Sequence, residues 1–336
     1  MELTWLKKSE IPLFQAFIKK HWNANHIFAF EDTVFRFQHQ EKGVPNLHYC
    51  IAKQGNDIVG IQGIIPLSIY DVQLPKNQLF LTLWKALEDR GVAMGLSIYR
   101  TICKEYEPEF IGVIGLNTKV IPFYEIEGYV IGEMDHHVLL VPDIEYRIAD
   151  APSDVSLPPV NGDAKCVPLL KEDLLNLSLE TLFENQFPTK STTYFIHRYL
   201  EHPVYTYMLW GIYREEVLEG LLVGRFVNEK GSKALRIIDF AGPDILISSC
   251  GTALLEILQS EGAEYADMYS NGLESLFLTT AGFINKAKYE ALIVPNHFEP
   301  FEQQNKKLIF AHKSLGDKKV RLFKGDGDQD RPNLIL

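Results

Sequence analysis

Apolar positions along the chain change period repeatedly, and each change marks an element. From Ile11 to Trp22 they recur at helical spacing. A polar, aromatic-rich stretch follows. Residues 49–53 (Tyr-Cys-Ile-Ala-Lys) and 58–65 (Ile-Val-Gly-Ile-Gln-Gly-Ile-Ile) then read as strands, and Gln54-Gly55-Asn56-Asp57 between them supplies turn chemistry, so the spacing predicts a hairpin. A third strand from Gln78 to Trp84 leads through a short loop into a helix whose Leu96, Tyr99, Ile102, Cys103 and Tyr106 fall on one face. Residues 110–116 predict a fourth strand, a second short helix ends near Gly128, and extended structure resumes at Tyr129. A meander followed by a strand-helix-strand crossover predicts a mixed α/β sheet.

The second half repeats this order. Residues 217–227 and 233–241 read as strands around an Asn228-Glu229-Lys230-Gly231 turn, 249–259 as a helix, 265–269 as a strand, and 273–280 as a helix before Gly282-Phe283. Gly95 and Gly128 stand 33 positions apart, and Gly251 and Gly282 stand 31 apart. A long internal period of this kind predicts two copies of one fold. The polar, proline-marked stretch 150–165 holds no periodicity and predicts a linker, giving domains over 1–149 and 166–336.

Composition agrees with two ordinary cores: 336 residues, 46% hydrophobic and 23% charged. No apolar run approaches the ~18 residues that cross a bilayer, and the first residues lack a cationic, apolar leader, so the expectation is a cytoplasmic protein with no membrane span. A net charge of -11 weighs against nucleic acid as a partner, because a phosphate backbone is held by clustered Lys and Arg. Cys50, Cys103, Cys166 and Cys250 lack the paired spacing of a zinc knuckle and read as reduced thiols, so no metal is expected.

The chemistry concentrates between strand three and Tyr129. In Glu88-Asp89-Arg90-Gly91-Val92-Ala93-Met94-Gly95, small residues at the start of a helix let a ligand approach unpaired backbone amides with the helix dipole behind them. That is diphosphate chemistry, and Arg90 can add a charged contact. One strand later comes Asn117-Thr118-Lys119-Val120-Ile121-Pro122-Phe123-Tyr124-Glu125-Ile126-Glu127-Gly128-Tyr129. These two segments resemble the coenzyme A site of the GNAT superfamily of N-acetyltransferases. Arg90 and Gly95 match its Gln/Arg-x-x-Gly-x-Gly/Ala motif, with Ala93 where the first glycine is usual, and the resemblance covers about residues 45 to 135.

The resemblance implies two tandem acetyltransferase-like domains, the first catalytic and the second degenerate. Acetyl-CoA or another acyl-CoA would lie along Leu83 and Trp84 of the strand, the residues Arg90, Gly91, Val92, Ala93, Met94 and Gly95, and Asn117 and Phe123 beyond. By motif position Tyr124 would be the general acid that protonates the leaving thiolate. The general base is open between Glu88, at the strand end, and His136, on the outgoing strand beside His137. In the second half, Ser248-Ser249-Cys250-Gly251-Thr252 carries no Arg, and 273–282 carries no Tyr.

His21-Trp22-Asn23-Ala24-Asn25-His26 and Phe35-Arg36-Phe37-Gln38-His39 suit either an acceptor pocket or a packed helix surface. The C-terminal Asp326, Asp328 and Asp330 look like half a calcium loop without its closing Glu. They also resemble tails of acyltransferases associated with bacterial surface-polysaccharide synthesis, where they would reach the acceptor. The implied acceptor is therefore a nucleotide-linked amino sugar, and a homodimer is compatible with it. A transferase using aminoacyl-tRNA is the rival enzyme, and a non-catalytic coenzyme- or sugar-binding module the rival of another class.

Overall fold

The computed structural model describes residues 1–87, 91–153, 155–177 and 179–334, with the side chain of Val92 left aside. The chain forms two compact units. The first comprises 1–131, 310–317 and 327–336, the second 132–309 and 318–326. Their boundary therefore falls ahead of the 150–165 stretch in which a linker is expected. Residues 147–149 are instead anchored inside the second unit: the buried Glu264 carboxylate accepts the backbone N–H groups of Arg147 (2.7 Å), Ile148 (3.0 Å) and Ala149 (3.1 Å).

In the first unit, β1 (Glu2–Lys7), β2 (Asn46–Gln54), β3 (Asp57–Pro66) and β4 (Gln78–Ala86) pair antiparallel, and β4 pairs parallel with β5 (Phe110–Ile114). A late strand, Ile309–Ser314, runs antiparallel along β5 through Phe310↔Ile114 to Ser314↔Phe110. Both faces of the sheet are covered, so β3 is buried from Ile58 onward instead of alternating. On one face lie α1 (Ile11–His21) and α2 (Thr33–His39). Ile11, Phe14, Phe17 and Ile18 give α1 its buried stripe, and Phe14 stacks on Phe35 of α2 with ring centroids 4.5 Å apart. The other face is covered by α3 (Gly91–Tyr106), packed through Met94, Ile98, Tyr99 and Ile102. The short α4 (Ile121–Ile126) and β6 (Val130–Glu133) follow β5.

The second unit repeats the plan. Its β7 (Asp135–Leu140) is followed by β8 (Lys165–Pro168), three short helices α5 (Lys171–Leu175), α6 (Glu180–Phe183) and α7 (Thr192–Phe195), and the meander β9 (Met208–Arg214), β10 (Val217–Glu229) and β11 (Ser232–Ala241). Helix α8 (Gly251–Glu261) returns the chain to β12 (Ala263–Asn271), which lies parallel to β11, and α9 (Ser275–Thr280) and β13 (Ile284–Asn285) complete the repeat. The internal repeat read from the glycine spacing is thus a repeat of topology.

The C-terminus corrects the expected acidic tail. Residues Leu322–Phe323 form a strand on β12 through Ser270↔Phe323 and Asn271↔Leu322, and Gly325 donates its N–H to Ile238 O of β11 at 2.9 Å. Asp326 and Lys190 are both fully buried and ion-paired at 2.8 Å. Lys190 also donates to both oxygens of Asp239, at 2.8 and 2.7 Å, and Tyr199 Oη donates to the same carboxylate at 2.6 Å. In the first unit, Asp328 faces Arg331 at 3.4 Å, Asp330 is buried, and Asn333 O accepts the N–H of Ile27 at 2.9 Å. Asp326 and Asp328 are therefore internal ion partners and Asp330 is buried, in place of carboxylates held out to an acceptor.

Removing the cation alone should be costly. Lys190→Met is expected to destabilise the second unit by about 3–5 kcal/mol, because two buried carboxylates lose their shared counter-charge. Burial already pushes the Asp326 carboxyl above its usual range, so protonation offers it an escape. The deficit relative to the wild type in urea unfolding should shrink as the pH falls from 7 toward 5. A deficit that is independent of pH would mean that packing, not charge, causes the loss.

Candidate functional site

The parallel strands of the first unit touch only at their beginnings. Their pairing runs Gln78↔Phe110, Leu79↔Ile111, Phe80↔Gly112 and stops, while β4 continues to Ala86. Gly115 then takes a φ of +82°, a value that suits a residue without Cβ, and the chain turns away. Among the described residues no strand is added between the diverging ends. The Asn117 side chain accepts from Lys119 N–H at 3.0 Å and caps the turn into α4, with Pro122 in the first helical turn. Exposed and engaged with its own turn, Asn117 shapes the path of the chain at the splay.

Helix α3 begins at Gly91, beyond the end of β4. A helix start carries amides without internal partners, which is what a diphosphate requires. Glu88 and Arg90, expected there as base and phosphate contact, lie outside the described residues. Of the others, Ala93 is exposed, and its carbonyl accepts from Ser97 Oγ at 2.8 Å. Met94 is buried, and a Cβ on Gly60 would come within 2.6 Å of its sulfur. Its side chain therefore anchors the helix to the sheet and does not face a ligand. A Cβ on Gly95 would meet Trp84 Cζ2 at 2.6 Å. Gly95 thus makes room for an indole, a stronger demand than the close backbone approach of a phosphate.

Trp84 belongs to an aromatic cluster at the wedge. Its ring centroid lies 4.9 Å from that of Phe123 and 6.2 Å from that of Tyr124, and Tyr124 lies 4.9 Å from Tyr129. Tyr99 of α3 and Tyr129 share a hydroxyl contact of 3.1 Å. Tyr124 is 2% exposed, and burial raises its hydroxyl above the ordinary phenol value. The phenol is held protonated at neutral pH, the state that a proton donor needs. The structure thus brings together Trp84, Gly95, Phe123 and Tyr124, whereas Leu83 is buried in the core with α1 and α2, on the other face of the sheet. Sequence reasoning had no signal for Tyr99 and Tyr129 as partners beyond their helical and post-glycine positions.

His136 lies in the second unit, on β7. Its Nε2 is 3.1 Å from Asp267 Oδ2, and its ring stacks on Tyr269 at 3.9 Å. Arg236 grips the same carboxylate through Nε–Oδ1 (3.1 Å) and Nη2–Oδ2 (2.8 Å), holding Asp267 down to about 2. Burial lowers the His136 pKa, and Asp267 opposes that shift. His136 borders a cleft of about 510 Å³ with Asp135, Tyr269, Lys286 and Lys306. Asp267 is 131 positions away in sequence, and only its inward place on β12 could have pointed to it.

In the second unit, the described residues fill the corresponding space. Strands β11 and β12 pair through Lys233↔Ala263 to Ile237↔Met268, and where they part, Leu322 to Gly325 fill the space. The start of α8 is covered as well: Thr252 N–H donates to Asn161 O at 3.3 Å, and a Cβ on Gly251 would strike the carbonyl oxygens of Ala281 and Asn161.

No protein-family model matches the chain, and no curated protein matches it in sequence. Among the described residues, no helix is long and apolar enough to cross a membrane. The fold, however, has solved counterparts. A GCN5-related N-acetyltransferase from Anabaena variabilis aligns over 93% of this chain and 72% of its own, with a TM-score of 0.57 at 10% identity. A putative acetyltransferase from Pyrococcus horikoshii aligns over 100% of this chain and 94% of its own, with a TM-score of 0.51 at 10% identity. The architecture is therefore a mixed α/β fold of the acetyltransferase kind, present along nearly the whole chain.

Proposed function

We propose that the protein is an acyl-coenzyme A-dependent N-acyltransferase whose first unit binds the coenzyme. The observation that carries this reading is the divergence of β4 from β5 after Phe80↔Gly112, with the start of α3 beyond the free end of β4. The edge of β4 from Leu81 onward, which no longer pairs with β5, suits the amide groups of a pantetheine arm, and the start of α3 suits its diphosphate. Trp84 and Phe123 give the arm an aromatic wall. Arg90 supplies the charged phosphate contact.

The reaction is direct acyl transfer. The acceptor nitrogen attacks the thioester carbonyl, a C–N bond forms as the C–S bond breaks, strand amides stabilise the oxyanion, and Tyr124 passes its proton to the departing sulfur. The amine must lose a proton to a base, a role for which Glu88 is the candidate. The acceptor class is an amine of a small molecule. The amino-sugar acceptor loses the support of an exposed acidic tail and stands as a choice for screening, with nucleotide-linked amino sugars as the panel. A coenzyme-binding module without turnover is the second reading, favoured by the indole of Trp84 that already fills the space between Gly95 and Phe123.

Calorimetry with coenzyme A tests the site. The wild type should bind one equivalent, and Arg90→Ala should weaken binding by about ten-fold through loss of a charge-assisted phosphate contact. No binding by the folded wild type would refute the assignment. Once an acceptor is found, Tyr124→Phe should lower kcat by roughly ten- to a thousand-fold with little change in coenzyme affinity. An unchanged kcat, with chemistry rate-limiting, would leave Tyr124 as a packing residue. Binding with no thioester consumption across the amine panel would favour the second reading.

A further inference from the structure

We propose that the second unit holds a binding site of its own for a small carboxylate, built around Arg321 and Gln186. A cavity of about 830 Å³ opens between α6 with the chain that follows it, the Gly242-Pro243-Asp244 turn at the end of β11, and Lys318 to Arg321. Its volume is that of an ordinary small-molecule pocket. Exposed Glu180, Glu184 and Asn185 stand at its rim. Phe183 and Phe187 add apolar wall.

Two side chains in the lining have polar atoms without partners among the described residues. Arg321 is 4% exposed. Its Nη1 donates to Gly242 O at 3.0 Å and lies 3.4 Å from Asp244 Oδ1, whereas Nε and Nη2 find no acceptor. Gln186 is also 4% exposed, and neither its Nε2 nor its Oε1 is bonded. Buried donors and acceptors are almost always satisfied, so two such groups lining one cavity ask for an occupant.

The neighbouring charges do not meet this demand. Asp244 Oδ2 is taken by Lys319 Nζ at 2.8 Å, and Asp239 and Asp326 are taken up by Lys190. The rings of Phe240 and Phe323, 5.4 and 5.6 Å from the Arg321 carbon, offer their faces and no acceptor atom. Arg321 Nε and Nη2 share one edge of a planar guanidinium. That edge matches the two coplanar oxygens of a carboxylate, which it can hold by two parallel hydrogen bonds. The Gln186 amide adds one donor or one acceptor beside it. A phosphate presents a tetrahedral set of oxygens and would leave more of them unbonded here. Bulk water could satisfy the same atoms, and it is the alternative that the experiment must separate.

The test uses the full chain without coenzyme, so its result does not depend on the acyltransfer reading. Calorimetry and thermal unfolding are run with acetate, propionate, benzoate, glycine and alanine, with the matching primary amides of the three acids, and with inorganic phosphate. At least one carboxylate should bind and raise the unfolding midpoint, while its amide and phosphate should not. Arg321→Gln should weaken that binding by about ten-fold or more, given the strength of a bidentate charged pair. If Arg321→Gln does not fold, Gln186→Leu decides, since its side chain makes no hydrogen bond among the described residues; it should weaken binding several-fold. The proposal is overturned if no carboxylate binds, if amide or phosphate binds as well as the carboxylate, or if Gln186→Leu binds as tightly as the wild type.

Discussion

Every backbone amide and carbonyl withdrawn from water needs a partner, and a parallel strand pair that diverges leaves a row of them between its ends. This constraint organises both halves of the molecule. In the second unit, the row between β11 and β12 is met by protein, through the Leu322–Phe323 strand and the hydrogen bond from Gly325 to Ile238. In the first unit, β4 continues past its last partner on β5 with no strand inserted among the described residues. One topology therefore yields a divergence bridged by a strand and one lined by side chains: Trp84 packs on Phe123, and Gln329 lies against Gly115. The C-terminal segment adds a strand to β12 in the second unit and none between β4 and β5 in the first among the described residues.

Filling the wedge required burying charge. The segment brings Asp326 inside, and Lys190 meets it together with Asp239 and the Tyr199 hydroxyl. Such a network is costly to desolvate and gives little net stability compared with apolar packing. It does fix a register, because sliding the segment by one residue would separate Asp326 from Lys190. Gly325 is part of the same fit: a Cβ there would collide with Tyr199 Oη and come within 2.6 Å of Ile238 Cγ2. Neither feature can be seen from the acidic spacing alone, which in sequence looks like an exposed tail.

What the sequence carried was local. Helical and strand periods placed α1, the β2–β3 hairpin, β4, α3 and β5, and turn chemistry separated them, because these signals lie within a few residues of one another. The order of the two copies was legible for the same reason. Partners distant in sequence were not. Asp267 beneath His136, the late strand along β5, and Trp84 against Gly95 are set by sheet order, which local periodicity does not encode. Gly95 is instructive, since a phosphate cradle and the packing of Trp84 both require a glycine, and in sequence the two look the same. Tyr124 was placed by motif, and its enclosure by Trp84, Phe123 and Tyr129 shows why an aromatic cluster and a proton donor look alike in sequence.

The proposed coenzyme site along β4 is tested most directly by amide hydrogen exchange, read residue by residue with and without coenzyme A. The account predicts that coenzyme slows exchange along Leu81 to Ala86 and in the first turn of α3, and leaves β11 from Ile238 to Ala241 unchanged, because its partners are already in place. Protection on β11 instead of β4, or no change on β4 at saturating coenzyme, would contradict it.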